Sequence, residues 1–169
     1  AATLTVVEPT SNGIGGDAFA LVWTKGKLHG LNSSGRSPKS ISIEALKEKG
    51  VEEMPDYGWL PVTVPGAPGA WAELSERFGK LPLKEVLEPA IQYAEEGYPV
   101  PANLSRLWNS AYKTFSKNCT DDVFENWFKT FAPKGRAPRA GEIWASPDHA
   151  STLRSIGETN AESFYRGEL

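Results

Sequence analysis

Apolar residues change their spacing along this chain, and the change divides it into two regions. Near the start they come in compact runs. "FALVW" (Phe19 to Trp23) is followed by a Lys25-Gly26-Lys27 turn and then by "LHGLNSS". Two short runs around a glycine turn predict a β-hairpin. Further on, apolar positions recur at helical spacing. Trp71, Leu74 and Phe78 mark one helix face, and Gly79 is placed to end it. Leu83, Val86, Leu87, Ala90, Ile91 and Ala94 continue the pattern up to Gly97. Pro89 interrupts that run, which predicts two short helices or a kink. Leu104, Leu107, Trp108, Ala111 and Phe115 mark another helix, and Val123, Phe124, Trp127, Phe128 and Phe131 one more. Ser146-Pro147-Asp148 reads as a helix start with proline in the first turn. That helix is expected to reach about Ile156, with Gly157 after it, and "NAESFYRGEL" to begin a further helix.

The segments between are punctuated by proline, glycine and serine. Ser42 is placed to cap a short helix over Ile43 to Lys49. "LPVTVPGAPG" (Leu60 to Gly69) is expected to be extended and tightly turned, and "KGRAPRAGE" (Lys134 to Glu142) to be loop. "AATLTVVEP" reads as an apolar element joined in its middle, and the chain does not begin with Met, so a longer parent chain is expected. Neither an internal repeat nor an inter-domain linker is visible. The reading is an α+β fold over residues 1–169: an N-terminal hairpin followed mostly by helices, in one incomplete domain.

Composition narrows the function classes. The 18 basic and 21 acidic residues give a formal charge of -3, and no basic run suits nucleic acid. No apolar stretch is long enough to predict a membrane span. A single cysteine, Cys119, forbids an internal disulfide. With only two histidines, His29 and His149, far from that cysteine, no zinc spacing exists, and neither metal nor cofactor is expected.

Several residues invite a chemical reading. Gly13, Gly15 and Ala18 fit the spacing of a dinucleotide-binding turn. Such a turn must follow a strand and open a helix, so that helix N–H groups face the phosphates. Here the glycines open an apolar run that reads as a strand, so they are expected to serve close backbone packing. Cys119 with His149 is a conceivable thiol–base pair, but "KNCTDD" surrounds the thiol with acids that would raise its pKa. His29 reads as a strand residue. The adjacent acids Glu52-Glu53, Glu95-Glu96 and Asp121-Asp122 point in different directions if helical, unlike a carboxylate pair flanking one bond. The tryptophan and phenylalanine stripes read as core. Arg36, in the polar loop "SSGRSP", is suited to clamping a carboxylate through two parallel hydrogen bonds.

Several ordered motifs resemble the γ-glutamyltranspeptidase (glutathione hydrolase) family of N-terminal-nucleophile hydrolases. "VVEPTSNGIGGDAFALV" resembles its glycine-rich segment, and "LNSSGRSPKS" its arginine segment. "VTVPGAPGAWAELSERFGKLPLKEVLEPAIQYAEEGYPV" is similar to its most readable stretch, and "ESFYRGEL" resembles its "FY-x-G". The resemblance implies part of an αββα sandwich and a precursor that cuts itself into two subunits. It implies that the small subunit's N-terminal threonine is the nucleophile, acting on γ-glutamyl amides through an acyl-enzyme. On that reading Arg36 binds the substrate α-carboxylate. No catalytic residue lies in this chain, and the small subunit is the partner it requires. Two positions depart from the family pattern. Arg36-Ser37 stands where the transpeptidases usually carry Arg-Glu, which resembles the related cephalosporin acylases more closely. Asp17 stands where the family often has another glycine.

Overall fold

A computed structural model describes residues 1–169. Helix α1 (Ala2–Val7) leads to a hairpin, β1 (Ala18–Thr24) and β2 (Lys27–Ser33). Helices α2 (Ile43–Glu48), α3 (Ala67–Phe78) and α4 (Leu83–Glu96) follow. Strand β3 (Tyr98–Pro99), helix α5 (Ala102–Asn118) and helix α6 (Glu125–Phe131) come next. Strand β4 (Ile143–Trp144) and helices α7 (Pro147–Glu158) and α8 (Glu162–Arg166) complete the chain.

The hairpin forms where the compact runs place it. Ala18 faces Ser33 and Thr24 faces Lys27, in antiparallel register. Lys25 and Gly26, at the turn, both have positive φ (50° and 73°), the turn geometry whose twist suits a two-residue hairpin loop. Strand alternation puts Phe19, Leu21 and Trp23 on one exposed face. The other face lies toward α3, where the His29 ring meets Phe78 edge-on at 5.2 Å.

The core sits between α4 and α7, with α1 laid on α4. Leu87, Ile91 and Ala94 from α4 meet Leu153 and Ile156 from α7, and Val6 closes one side, all buried. Gly157 explains how closely these helices approach: a Cβ there would lie 2.9 Å from the Cα of Lys84. An aromatic layer extends this core. Trp108 and Trp144 pack edge-to-face at 5.1 Å, and their indole N–H groups donate to the carbonyls of Phe131 (2.9 Å) and Thr130 (3.2 Å). The buried tryptophans are thereby satisfied at their polar ends.

The structure corrects or narrows four expectations. Helix α4 is continuous through Pro89, so of the two outcomes expected there, two short helices or a kink, the first is excluded. Proline inside a helix costs about 3 kcal/mol, and the packing of α4 against both α1 and α7 offsets it. The stretch Leu60 to Gly69 is irregular only to Gly66, because α3 starts at Ala67 with Pro68 in its first turn, where a missing N–H costs nothing. Gly157 lies inside α7, which ends at Glu158, so close packing rather than termination is its role. The Val123 to Phe131 helix is divided into a 3₁₀ turn (Asp122–Phe124) and α6. The other boundaries agree to within a residue or two, including the Ser42 cap, whose hydroxyl accepts from the Ala45 N–H at 3.1 Å. The two-residue ladder pairing Tyr98 with Trp144 is too short to leave a periodic signal.

Candidate functional site

Strand β2 delivers the chain into Ser34-Gly35-Arg36, and three other segments hold that loop. Asp17, one residue before β1, faces Ser34 when the hairpin register is extended by one pair. Its carboxylate accepts from the Gly35 N–H at 3.2 Å and from the Ser34 hydroxyl at 3.3 Å. Asn32 also accepts from the Ser34 N–H at 2.9 Å. On the far side, the Val64 N–H donates to the Arg36 carbonyl at 3.0 Å. Gly35 is pressed onto Val64 so closely that a Cβ would fall 1.6 Å from the Val64 carbonyl oxygen. No side chain fits there, so glycine is required by proximity rather than by φ.

The next turn repeats the device. A Cβ on Gly66 would lie 1.8 Å from the Ser33 carbonyl oxygen, and the Ser33 hydroxyl donates to the Gly66 carbonyl at 2.7 Å. The N–H groups of Gly66 and Ala67, at the start of α3, both donate to the Gly16 carbonyl (3.0 and 2.9 Å). Tyr165 of α8 closes the arrangement from outside. Its hydroxyl donates to the Pro65 carbonyl at 2.7 Å and accepts from the Gly69 N–H at 3.0 Å. Residues far apart in sequence thus meet at one place: the glycine-rich segment, the arginine loop, the "VPG" turn and the tyrosine of "ESFYRGEL".

Arg36 is exposed, and its guanidinium forms no hydrogen bond or ion pair within the chain. Its backbone is fixed while its side chain stays available. That combination suits recognition of an anionic group from outside the chain, since the side chain but not its loop has to be ordered on binding.

The remaining candidates separate. Cys119 is buried in a cavity between the Tyr57–Val62 segment and α5–α6, whereas His149 lines a different one beside Gly13. Burial raises the Cys119 pKa, and the charge of Asp121 adds to it; burial lowers that of His149. Neither shift suits a thiolate–imidazolium pair. His29 is a strand residue packed on Phe78. The three acid pairs are all exposed, and Glu95 is engaged with Arg154 at 2.9 Å. The glycine-rich segment opens β1, so the dinucleotide reading fails. The expected close packing is found at Gly16, whose carbonyl receives the Gly66 and Ala67 N–H groups and where a Cβ would lie 3.4 Å from the Gly13 carbonyl oxygen; a Cβ on Gly15 would touch nothing within 4 Å, and the tightest approaches at this site are at Gly35 and Gly66. Asp17 was legible only as an irregularity. Its anchoring role follows once the hairpin register is extended past Ala18.

A hairpin carrying an arginine loop and backed by this helical layer is the corresponding part of an N-terminal-nucleophile hydrolase fold. The chain belongs to the gamma-glutamyltranspeptidase family, whose sequence model matches residues 1–169. It is 33% identical to the glutathione hydrolase-like YwrD proenzyme of Bacillus subtilis over 172 residues, covering 99% of this chain and 31% of the relative. Among solved structures, it superposes on cephalosporin acylase from Bacillus halodurans with a TM-score of 0.97 and 67% identity, over 99% of this chain and 32% of that one. It also superposes on gamma-glutamyltranspeptidase from Pseudomonas nitroreducens complexed with L-DON, with a TM-score of 0.81 and 31% identity, over 98% of this chain and 48% of that one. The chain therefore spans about a third of the length of the YwrD proenzyme and of the cephalosporin acylase.

Proposed function

We propose that the protein containing this chain cleaves or transfers γ-glutamyl groups from glutathione-type amides. In this reading Arg36 receives the substrate α-carboxylate through two parallel N–H···O bonds. The partner is a small subunit whose N-terminal threonine arises by cleavage of a common precursor. The threonine oxygen attacks the γ-carbonyl carbon, and oxyanion donors hold the tetrahedral state. The C–N bond then breaks, the amine leaves with a proton, and an acyl-ester remains. Water or an acceptor amine attacks that ester and releases the threonine. The observation that supports this best is the Arg36 loop itself, fixed by Asp17, Gly35 and Val64 with its guanidinium unengaged.

A second reading is favoured by one observation. The 67% identical structure is a cephalosporin acylase, and Arg36 is followed here by Ser37. An acylase removing a glutaryl-like side chain would use the same clamp, because that side chain also ends in a carboxylate. It lacks the α-amino group of a glutamyl donor. Turnover of a γ-glutamyl anilide and of a matched glutaryl anilide by the processed full-length protein separates the two. Preference for the first supports the γ-glutamyl reading, and preference for the second replaces it.

A further inference from the structure

The cavity beside Cys119 has a chemistry that the Arg36 site does not use. It encloses about 290 Å³, near the lower end of small-molecule pockets. Two separate parts of the chain build it: the Asp56–Val62 segment, and α5 with the turn and helix that follow. Its walls are aromatic. Tyr57 meets Phe115 edge-on at 6.1 Å, and Phe115 meets Trp127 at 4.6 Å. Trp127 in turn packs against Phe128 at 5.0 Å. Phe124 completes the wall, and Trp59, which does not itself line the cavity, stacks on Phe124 nearly parallel at 12° and 6.2 Å.

These rings differ from the closed aromatic layer. Trp108 and Trp144 are buried and spend their N–H groups on backbone carbonyls, whereas Phe115, Phe124, Trp127 and Phe128 are half-buried and line the cavity. The polar lining is equally specific. Asp56 lines the cavity, exposed and without an ion-pair partner in the chain. Burial, and after it the charge of Asp121 outside the cavity, keeps the Cys119 thiol of the wall protonated. An aromatic wall next to an unpaired carboxylate suits a flat ring bearing a positive charge: the ring gains apolar and stacking contacts, and the cation gains a counter-ion and ring faces.

We propose that this cavity binds an aromatic primary ammonium compound, with the ring between Phe124 and Trp127 and the ammonium at Asp56. The assignment does not depend on which acyl group the protein transfers.

The test is calorimetric titration of the processed full-length protein with three probes. 2-Phenylethylamine carries ring and charge, 2-phenylethanol carries the ring alone, and ethylamine the charge alone. The expected result is saturable binding of 2-phenylethylamine, at least tenfold tighter than either control. Asp56→Asn should remove most of the preference over 2-phenylethanol. Phe124→Leu, a conservative change at a partly exposed position, should weaken 2-phenylethylamine at least fivefold at an unchanged thermal midpoint. Equal affinity for all three probes, no saturable binding, or wild-type affinity in both variants would overturn the assignment.

Discussion

The carboxylate of Asp17 accepts the backbone N–H of Gly35 at 3.2 Å, so an acid outside the hairpin fixes the residue next to Arg36. The same carboxylate accepts from Ser34. Removing it leaves the arginine in place but frees its loop. Asp17→Ala is expected to raise KM for a γ-glutamyl anilide several-fold with little change in kcat, since each such bond contributes about 1 kcal/mol. Asp17→Asn, which keeps one acceptor oxygen, should fall between. Steady-state kinetics on the three proteins checks this. An unchanged KM in Asp17→Ala would show that the loop is held without it.

Gly35→Ala should be far more damaging than its single methyl suggests. The new Cβ would meet a backbone oxygen at 1.6 Å, and backbone cannot rotate aside. The loop must then separate from Val64 and lose the bond to the Arg36 carbonyl. A loss of about 2 kcal/mol or more of stability is expected, together with a KM increase above tenfold. Thermal unfolding and kinetics on the same preparation measure both.

Tyr165 tests whether α8 supports the site from a distance of about a hundred residues in sequence. Tyr165→Phe keeps the ring and removes both hydroxyl bonds, one to Pro65 and one from Gly69. The expected cost is about 1–2 kcal/mol, mostly from the carbonyl and N–H left unpaired. Hydrogen exchange should accelerate at Gly69. Equal exchange in the two proteins would mean that the Pro65–Gly69 segment does not rely on Tyr165.

Stability should fall with acid in two steps. Burial holds the His149 pKa below its ordinary 6.5, so the unfolded chain takes up that proton first and stability begins to decline as pH drops through 6.5. Glu142 is held at about 2, against an ordinary 4.5, chiefly by hydrogen bonds from Arg136 and then by the Arg139 N–H. A depressed folded pKa stabilises above the unfolded value, so this contribution is complete above about 4.5 and disappears as pH approaches 2. Denaturation midpoints against pH should lose the lower step in Glu142→Gln and the upper step in His149→Gln.

The hairpin was legible because short apolar runs and a lysine–glycine turn are local signals, and so was the Ser42 cap. Arg36 was legible as a candidate because glycine and serine flank it. What holds it was not, because Val64, Gly66 and Tyr165 reach it through tertiary contacts that no spacing encodes. At Pro89 local propensity allows two short helices or a kink, and packing on both sides of α4 keeps the helix continuous. Periodicity also overstated burial. Val86 and Val123 fit their helical stripes, yet stand 51% and 57% exposed.

The most direct measurement of the central claim is the response of Arg36→Gln, in the processed full-length protein, to two donors. One is a γ-glutamyl anilide, and the other the same anilide with its α-carboxylate replaced by an amide. The account predicts that the substitution lowers kcat/KM for the first donor by a hundredfold or more, mainly through KM, and barely changes the second. Equal losses for both donors, or none for either, would contradict the assignment of Arg36 as the carboxylate clamp.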